Sequence, residues 1–214
     1  LQAFICPRTA ENAQALRARL PWLKAVPLGL RTSFGFGDRL GYATPGHVCA
    51  VQQSGIAPIF AQQSVRENTR TGRSPQQVLD DAMWGLFEMA WQLPWGADAD
   101  HIKTLDALPA FIQAGYTFFT IDPGDQVDNA AQSEPLEVLK GKVAALPWER
   151  MQISPEDWQA HYLDRSFALP GFSICLERET LWRAAAKYQR AILHALEITS
   201  DIRVALYGAE FDLG

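Results

Sequence analysis

A chain of 214 residues with a net charge of −5, 48% of it hydrophobic and 20% charged, has the composition of a globular protein with one sizeable core or two small ones. No stretch concentrates Lys or Arg, so the basic face that a nucleic acid needs is missing from the sequence. No apolar run approaches the roughly 20 residues that cross a bilayer, and neither nucleic acid nor membrane is expected as a partner.

The first element in chain order is an amphipathic helix over 9–20, "TAENAQALRARL", with Thr9 as N-cap and Pro21 just beyond its end. "VPLGLRTSFGFGDRLGYATPGH" starts strand-like and becomes glycine-rich. "GIAPIFAQQSV" (55–65) is an apolar run that turns polar at Gln62, Gln63 and Ser64. "SPQQVLDDAMWGLFEMAWQL" (74–93) carries the strongest helical signal: Ser74 caps it, Pro75 takes the first position, and apolar residues recur every three or four. "LPWGADADHI" reads as the next strand. "DALPAFIQAG" follows as a short helix closed by Gly115, and "YTFFTIDPGD" as another strand. From residue 129 the chain is rich in Pro, Trp and charge, with no clear strand. A helix over 178–197 follows, and "DIRVALYGAEFDLG" reads as the start of a fifth strand.

Alternating strands and helices, with continuous apolar strands, point to a parallel α/β fold. We expect the N-terminal half of a (β/α)8 TIM-type barrel carrying a helical insertion. The half-barrel is expected over 1–128, the insertion over 129–175, and a helix with the next barrel strand over 176–214. A complete barrel takes about 250 residues. The chain opens on Leu1 instead of Met and closes on a strand-like run, so a truncated polypeptide is expected. No apolar core stands behind a basic start, so no secretion signal is read. Cys6, Cys49 and Cys175 are odd in number and widely spaced, which suits small, buried, reduced thiols in a cytoplasm.

Polar residues gather at the strand ends: Asp38 and Arg39, Gln62 to Ser64, Asp98 to Lys103, and Asp122 to Asp128. In parallel α/β architectures that end of the sheet carries the chemistry. Within "WGADADHIKT" (95–104), Asp100 and His101 are adjacent where a buried strand ends. A neutral imidazole is a good ligand for zinc or a similar divalent ion. A carboxylate beside it is placed to exchange a proton with a substrate hydroxyl. The alternative is structural: Asp100 caps the helix after Thr104 or binds backbone, and His101 is a satisfied loop histidine.

Asp-His at the end of a barrel strand resembles the motif of class II, zinc-dependent aldolases. The strings "TSFGFGDRLGYATPGH" (32–47), "GRSPQQVLDDAMWG" (72–85), "WGADADHIKT" and "GYTFFTIDPGDQVD" (115–128), in this order, resemble the bacterial tagaturonate epimerase family. Members interconvert tagaturonate and fructuronate in hexuronate catabolism and are about twice this length. The resemblance implies Asp100 as proton acceptor and His101 as a ligand of a divalent metal, zinc by the aldolase likeness. It places the other metal ligands and a partner acid beyond Gly214. A small sugar acid is the implied ligand, and a homo-oligomer is an open expectation.

Further candidates follow from chemical type. Arg39 offers a planar fork for a substrate carboxylate, or pairs with Asp38. His47 bonds a sugar hydroxyl, or is structural. Gln62 and Gln63 stand where sugar hydroxyls would be bound. Lys103 stabilises developing enolate charge, or is an exposed loop lysine. Asp122 supports the site from behind, or caps the turn at Pro123. Trp84, Trp91 and Trp95 read as the packed face of a helix, and His194 as core. Two other functions compete: an aldolase that releases its fragments, and a non-catalytic sugar-acid-binding domain.

Overall fold

Five apolar stretches pair side by side in sequence order and all in parallel. With strands numbered along the chain, they are β1 (Ser33–Gly35), β2 (Ala57–Ser64), β3 (Gly96–Ile102), β4 (Phe118–Ile121) and β7 (Asp212–Leu213). Strands that neighbour one another in sequence order and run the same way require a crossover after each strand. The crossovers here are helical: α2 (Thr44–Val51) joins β1 to β2, α3 (Val65–Thr71) and α4 (Pro75–Glu88) join β2 to β3, and α5 (Leu108–Ala114) joins β3 to β4. The sheet is curled and flanked by helices, which is the arrangement of a partial barrel. The computed structural model describes residues 5–214, so Leu1 lies outside the described residues.

The helices form where local chemistry starts and stops them. Helix α1 (Ala10–Arg19) begins at Thr9, whose hydroxyl accepts the Asn12 N–H. Helix α4 opens with a full capping box: Ser74 accepts from the Gln77 backbone, and the Gln77 side chain accepts from the Ser74 N–H. Helix α5 ends at Gly115, whose φ of +97° is the left-handed closure that glycine adopts without strain. Helix α4 packs on α1, α2 and α5 and against β2. Between these layers Leu23, Phe60, Met83, Leu86, Trp95, Ile102, Phe111 and Phe119 are fully buried.

The chain divides into two units, one through Asp122 together with Thr199–Gly214, the other Pro123–Ile198. The second holds α6 (Leu136–Ala144), α7 (Trp148–Met151), α8 (Pro155–Tyr162), a hairpin of β5 (Ser166–Leu169) and β6 (Phe172–Cys175), and α9 (Arg178–Ala205) as far as Ile198. It has its own core, built on Leu139, Val143, Trp148, Trp158, Leu181 and Ala185. Trp148 and Trp158 meet at 5.5 Å between ring centroids.

Several expectations are corrected. The insertion, expected to lack strands, holds β5 and β6, which pair antiparallel around Pro170 and Gly171. Gly171, at φ +88°, supplies the turn. The stretch expected to open a strand at 201 continues α9 to Ala205, and only Asp212–Leu213 joins the sheet. Trp91 and Trp95 are core residues but not helical, because α4 stops at Glu88. The thiols expected to be buried are free and exposed. On α2 the inward positions are Thr44, Val48 and Val51, which turns Cys49 outward. His194 is only partly buried, so it is not a core residue. Among the described residues no helix is long and apolar enough to cross a membrane.

Candidate functional site

The carboxyl ends of β2, β3 and β4 lie side by side, with Gln62 in register with Asp98 and Ser64 with Asp100. Side chains two apart on a strand share a face, so "DAD" puts Asp98 and Asp100 on one side of β3. The adjacent His101 belongs on the other side of a regular strand. A bulge changes this. Between Ala99 and Ile102 strand β3 advances three residues while β4 advances two, from Phe119 to Ile121. His101 takes up the extra length at φ +55°, a left-handed backbone uncommon outside glycine. The kink brings the neighbours together: His101 Nε2 lies 3.5 Å from Asp100 Oδ2.

The other ring nitrogen, Nδ1, lies 3.2 Å from Asp122 Oδ2 at the end of β4, and Lys103 Nζ is 3.8 Å from the same oxygen. Asp122 is thus the support behind the imidazole. If Nδ1 donates to this carboxylate, a neutral ring presents its Nε2 lone pair toward Asp100. Two acceptors face each other there, and a proton or a cation between them relieves the repulsion. Burial raises the Asp100 carboxyl above the usual carboxylate range; positive charge on a protonated His101 ring would oppose this, and Glu67 and Asp122 add to it.

One layer deeper, Asp98 is fully buried at 1% exposure. Gln62 Nε2 donates to it at 3.0 Å and Thr120 Oγ1 at 2.9 Å. Burial outweighs these bonds and pushes the Asp98 carboxyl up to about 6. Gln62 reaches Asp98 only because residue 35 is glycine, since a Cβ there would stand 2.1 Å from the Gln62 Oε1.

A cavity of about 550 Å³ opens over these strand ends. Ser64, Arg66, His101, Lys103, Asp106 and Asp122 are among its walls. Asp100 does not line it, but touches His101, which does. The other candidates fall elsewhere. Arg39 binds Glu67 through both Nε, at 2.9 Å, and Nη2. Its partner is therefore neither Asp38 nor the cavity, and the guanidinium holds the Glu67 carboxyl below its usual range. Asp38 instead accepts the backbone N–H groups of Leu40, Gly41 and Ala43. His47, on α2, packs at 5.1 Å from the Phe36 ring, and its Nδ1 is buried with no hydrogen-bond partner among the described residues. Gln63 alternates to the opposite side of β2 from Gln62 and is fully buried. Asp100 caps no helix: Thr104 precedes the turn at Leu105–Ala107 with no side-chain cap.

As a metal ligand, His101 has the right support, because a carboxylate on the second ring nitrogen is the usual partner of a ligating imidazole. A catalytic metal usually takes three protein ligands. Among the described residues no three His, Cys, Asp or Glu side chains converge in that way, so these residues fit a metal only in part.

The profile of a family described as tagaturonate epimerase matches residues 2–213. The chain belongs to that family. It is 44% identical over 191 residues to a tagaturonate/fructuronate epimerase of Thermotoga maritima, covering 89% of this chain and 38% of the relative. Crystal structures of fructuronate-tagaturonate epimerase UxaE from Cohnella laeviribosi align at 33% identity, covering 97% of this chain and 42% of theirs. The TM-scores are 0.87 for a glycerol complex and 0.85 for the native form. The chain therefore spans about two fifths of the length of these relatives.

Within the site, sequence reasoning left Asp98, Thr120, Arg66 and Glu67 without roles. For Asp98 the signal was available in the period-2 spacing of "DAD". For Arg66 and Glu67 the available signal was the Ser64-x-x-Glu67 spacing that starts α3, where Ser64 accepts the Glu67 N–H, while the place of Thr120 depends on strand register and is not visible locally.

Proposed function

We propose that this chain carries one part of the active site of an enzyme that interconverts tagaturonate and fructuronate by retro-aldol cleavage and re-addition. The five parallel strands are, in this reading, the opening half of a (β/α)8 barrel. The observation that supports it is the bulge at the end of β3, which sets Asp100 against His101 with Asp122 behind the ring.

The two sugars differ at the carbon β to the ketone, whose hydrogen is not acidic enough for direct removal. Its hydroxyl proton is a better target. Asp100, held at a raised pKa by burial, takes that proton. The bond between the α and β carbons breaks, its electron pair moves to the ketone oxygen, and an aldehyde is released beside an enediolate. The aldehyde turns over, the bond re-forms on its other face, and Asp100 returns the proton. His101, oriented by Asp122, is the residue of this chain that would help hold a divalent ion, zinc by family likeness. Such an ion, when bound, supplies positive charge to the ketone oxygen.

Running the reaction in deuterated water tests the route. Retro-aldol chemistry inverts the β carbon while leaving its hydrogen in place, so the epimer forms without deuterium there. Deuterium at that carbon identifies direct proton abstraction and rejects this mechanism. A trapped aldehyde with no epimer identifies an aldolase that releases its fragments.

A further inference from the structure

We propose that Arg66, in the first turn of α3 just past β2, is the residue that recognises the carboxylate of the sugar acid, an inference that rests on the epimerase reading above. A hexuronate carries its negative charge at every physiological pH, so a site selective for it over a neutral ketose needs a cation on its wall. The cavity over the strand ends offers His101, Lys103 and Arg66. The first two share one carboxylate, with Nδ1 at 3.2 Å and Nζ at 3.8 Å from Asp122 Oδ2. Arg39, the guanidinium that the sequence suggests, is held by Glu67 and stands outside the cavity wall. Arg66 lines the cavity, and no carboxylate among the described residues pairs with it.

Its local setting gives no structural reason for the charge. Arg66 is the second residue of α3, and the amino end of a helix repels cations. Glu67 beside it is adjacent in sequence and bound to Arg39. The position is exposed, so no core packing depends on the side chain. What the guanidinium does have is placement: it lines the cavity just past the end of β2, next to the strand that carries Asp100 and His101 near its end. A sugar acid laid across the two strand ends sets its carboxylate over β2 and its reacting carbons over β3.

The test compares wild type, Arg66→Gln and Arg66→Lys in the full polypeptide encoded by the gene. The paired substrates are the keto-hexuronate and the ketose with hydroxymethyl in place of carboxylate. Loss of a charge-assisted fork is expected to raise KM for the acid about 10–100-fold, with a smaller change in kcat, and to collapse the preference for acid over ketose. Arg66→Lys, which keeps the charge but not the fork, falls between. A KM for the acid in Arg66→Gln within twofold of wild type overturns the proposal. If wild type turns over neither sugar acid, the epimerase reading fails. Calorimetric binding of the keto-hexuronate then decides on Arg66 alone: unchanged affinity in Arg66→Gln rejects it, and weakened affinity sustains it.

Discussion

At the scale of single residues, the site stores free energy in two places. One is the backbone of His101. A left-handed conformation at a non-glycine residue costs about 1–3 kcal/mol and persists only where the surroundings enforce it. Asn tolerates this conformation and a β-branched residue does not. His101→Val is therefore expected to be about 1–3 kcal/mol less stable than His101→Asn in urea unfolding. Equal stabilities would mean that the bulge is unstrained. The other place is Asp98, whose folded carboxyl titrates at about 6 against 3.8 for the free group. The raised value sets the sign. Below about pH 4 the group is protonated in both states, and its burial is not penalised. As pH rises through 6 the folded protein must ionise a buried group that ionises freely in the unfolded chain, so stability is lost. At about 1.4 kcal/mol per unit, the loss is about 3 kcal/mol. Asp98→Asn should abolish that part of the fall between pH 4 and 7, read as the urea midpoint of variant against wild type. Parallel pH profiles would place the Asp98 titration elsewhere.

At the scale of elements, what was legible is what local chemistry decides. Thr9, the Ser74–Pro75 start and Gly115 mark α1, α4 and α5 because caps and closures are short-range. Removing the α4 cap with Ser74→Ala is expected to cost about 1 kcal/mol, seen as a lower melting temperature. No change would show that packing alone fixes that helix. The strands β2, β3 and β4 were likewise readable as apolar runs, and their polar ends located the site. The bulge was not, since it depends on the register of β3 against β4 and no pattern within "GADADHI" records it. For Arg39 chemical type alone offers a substrate carboxylate or Asp38, and neither is its partner. Its actual partner, Glu67, is 28 residues away and is brought near by the start of α3. The hairpin of β5 and β6 was missed although "PG" marks its turn, because its strands are short and exposed on both faces.

At the scale of the whole molecule, the first unit is a run of consecutive parallel strands whose carboxyl ends carry one face of a site. It places a supported imidazole and a guanidinium with no carboxylate partner among the described residues on one cavity, with Asp100 in contact with that imidazole. Among the described residues no three His, Cys, Asp or Glu side chains converge as a metal site. Its relatives are more than twice as long, at 38% and 42% of their lengths covered. The activity proposed here accordingly belongs to the full polypeptide, and the measurement that tests it most directly is made there. Tagaturonate–fructuronate interconversion is followed for wild type and Asp100→Asn, with metal content determined on the same samples. The account predicts a rate lower by about 10²–10⁴ with the metal content unchanged; turnover within a fewfold of wild type would contradict it.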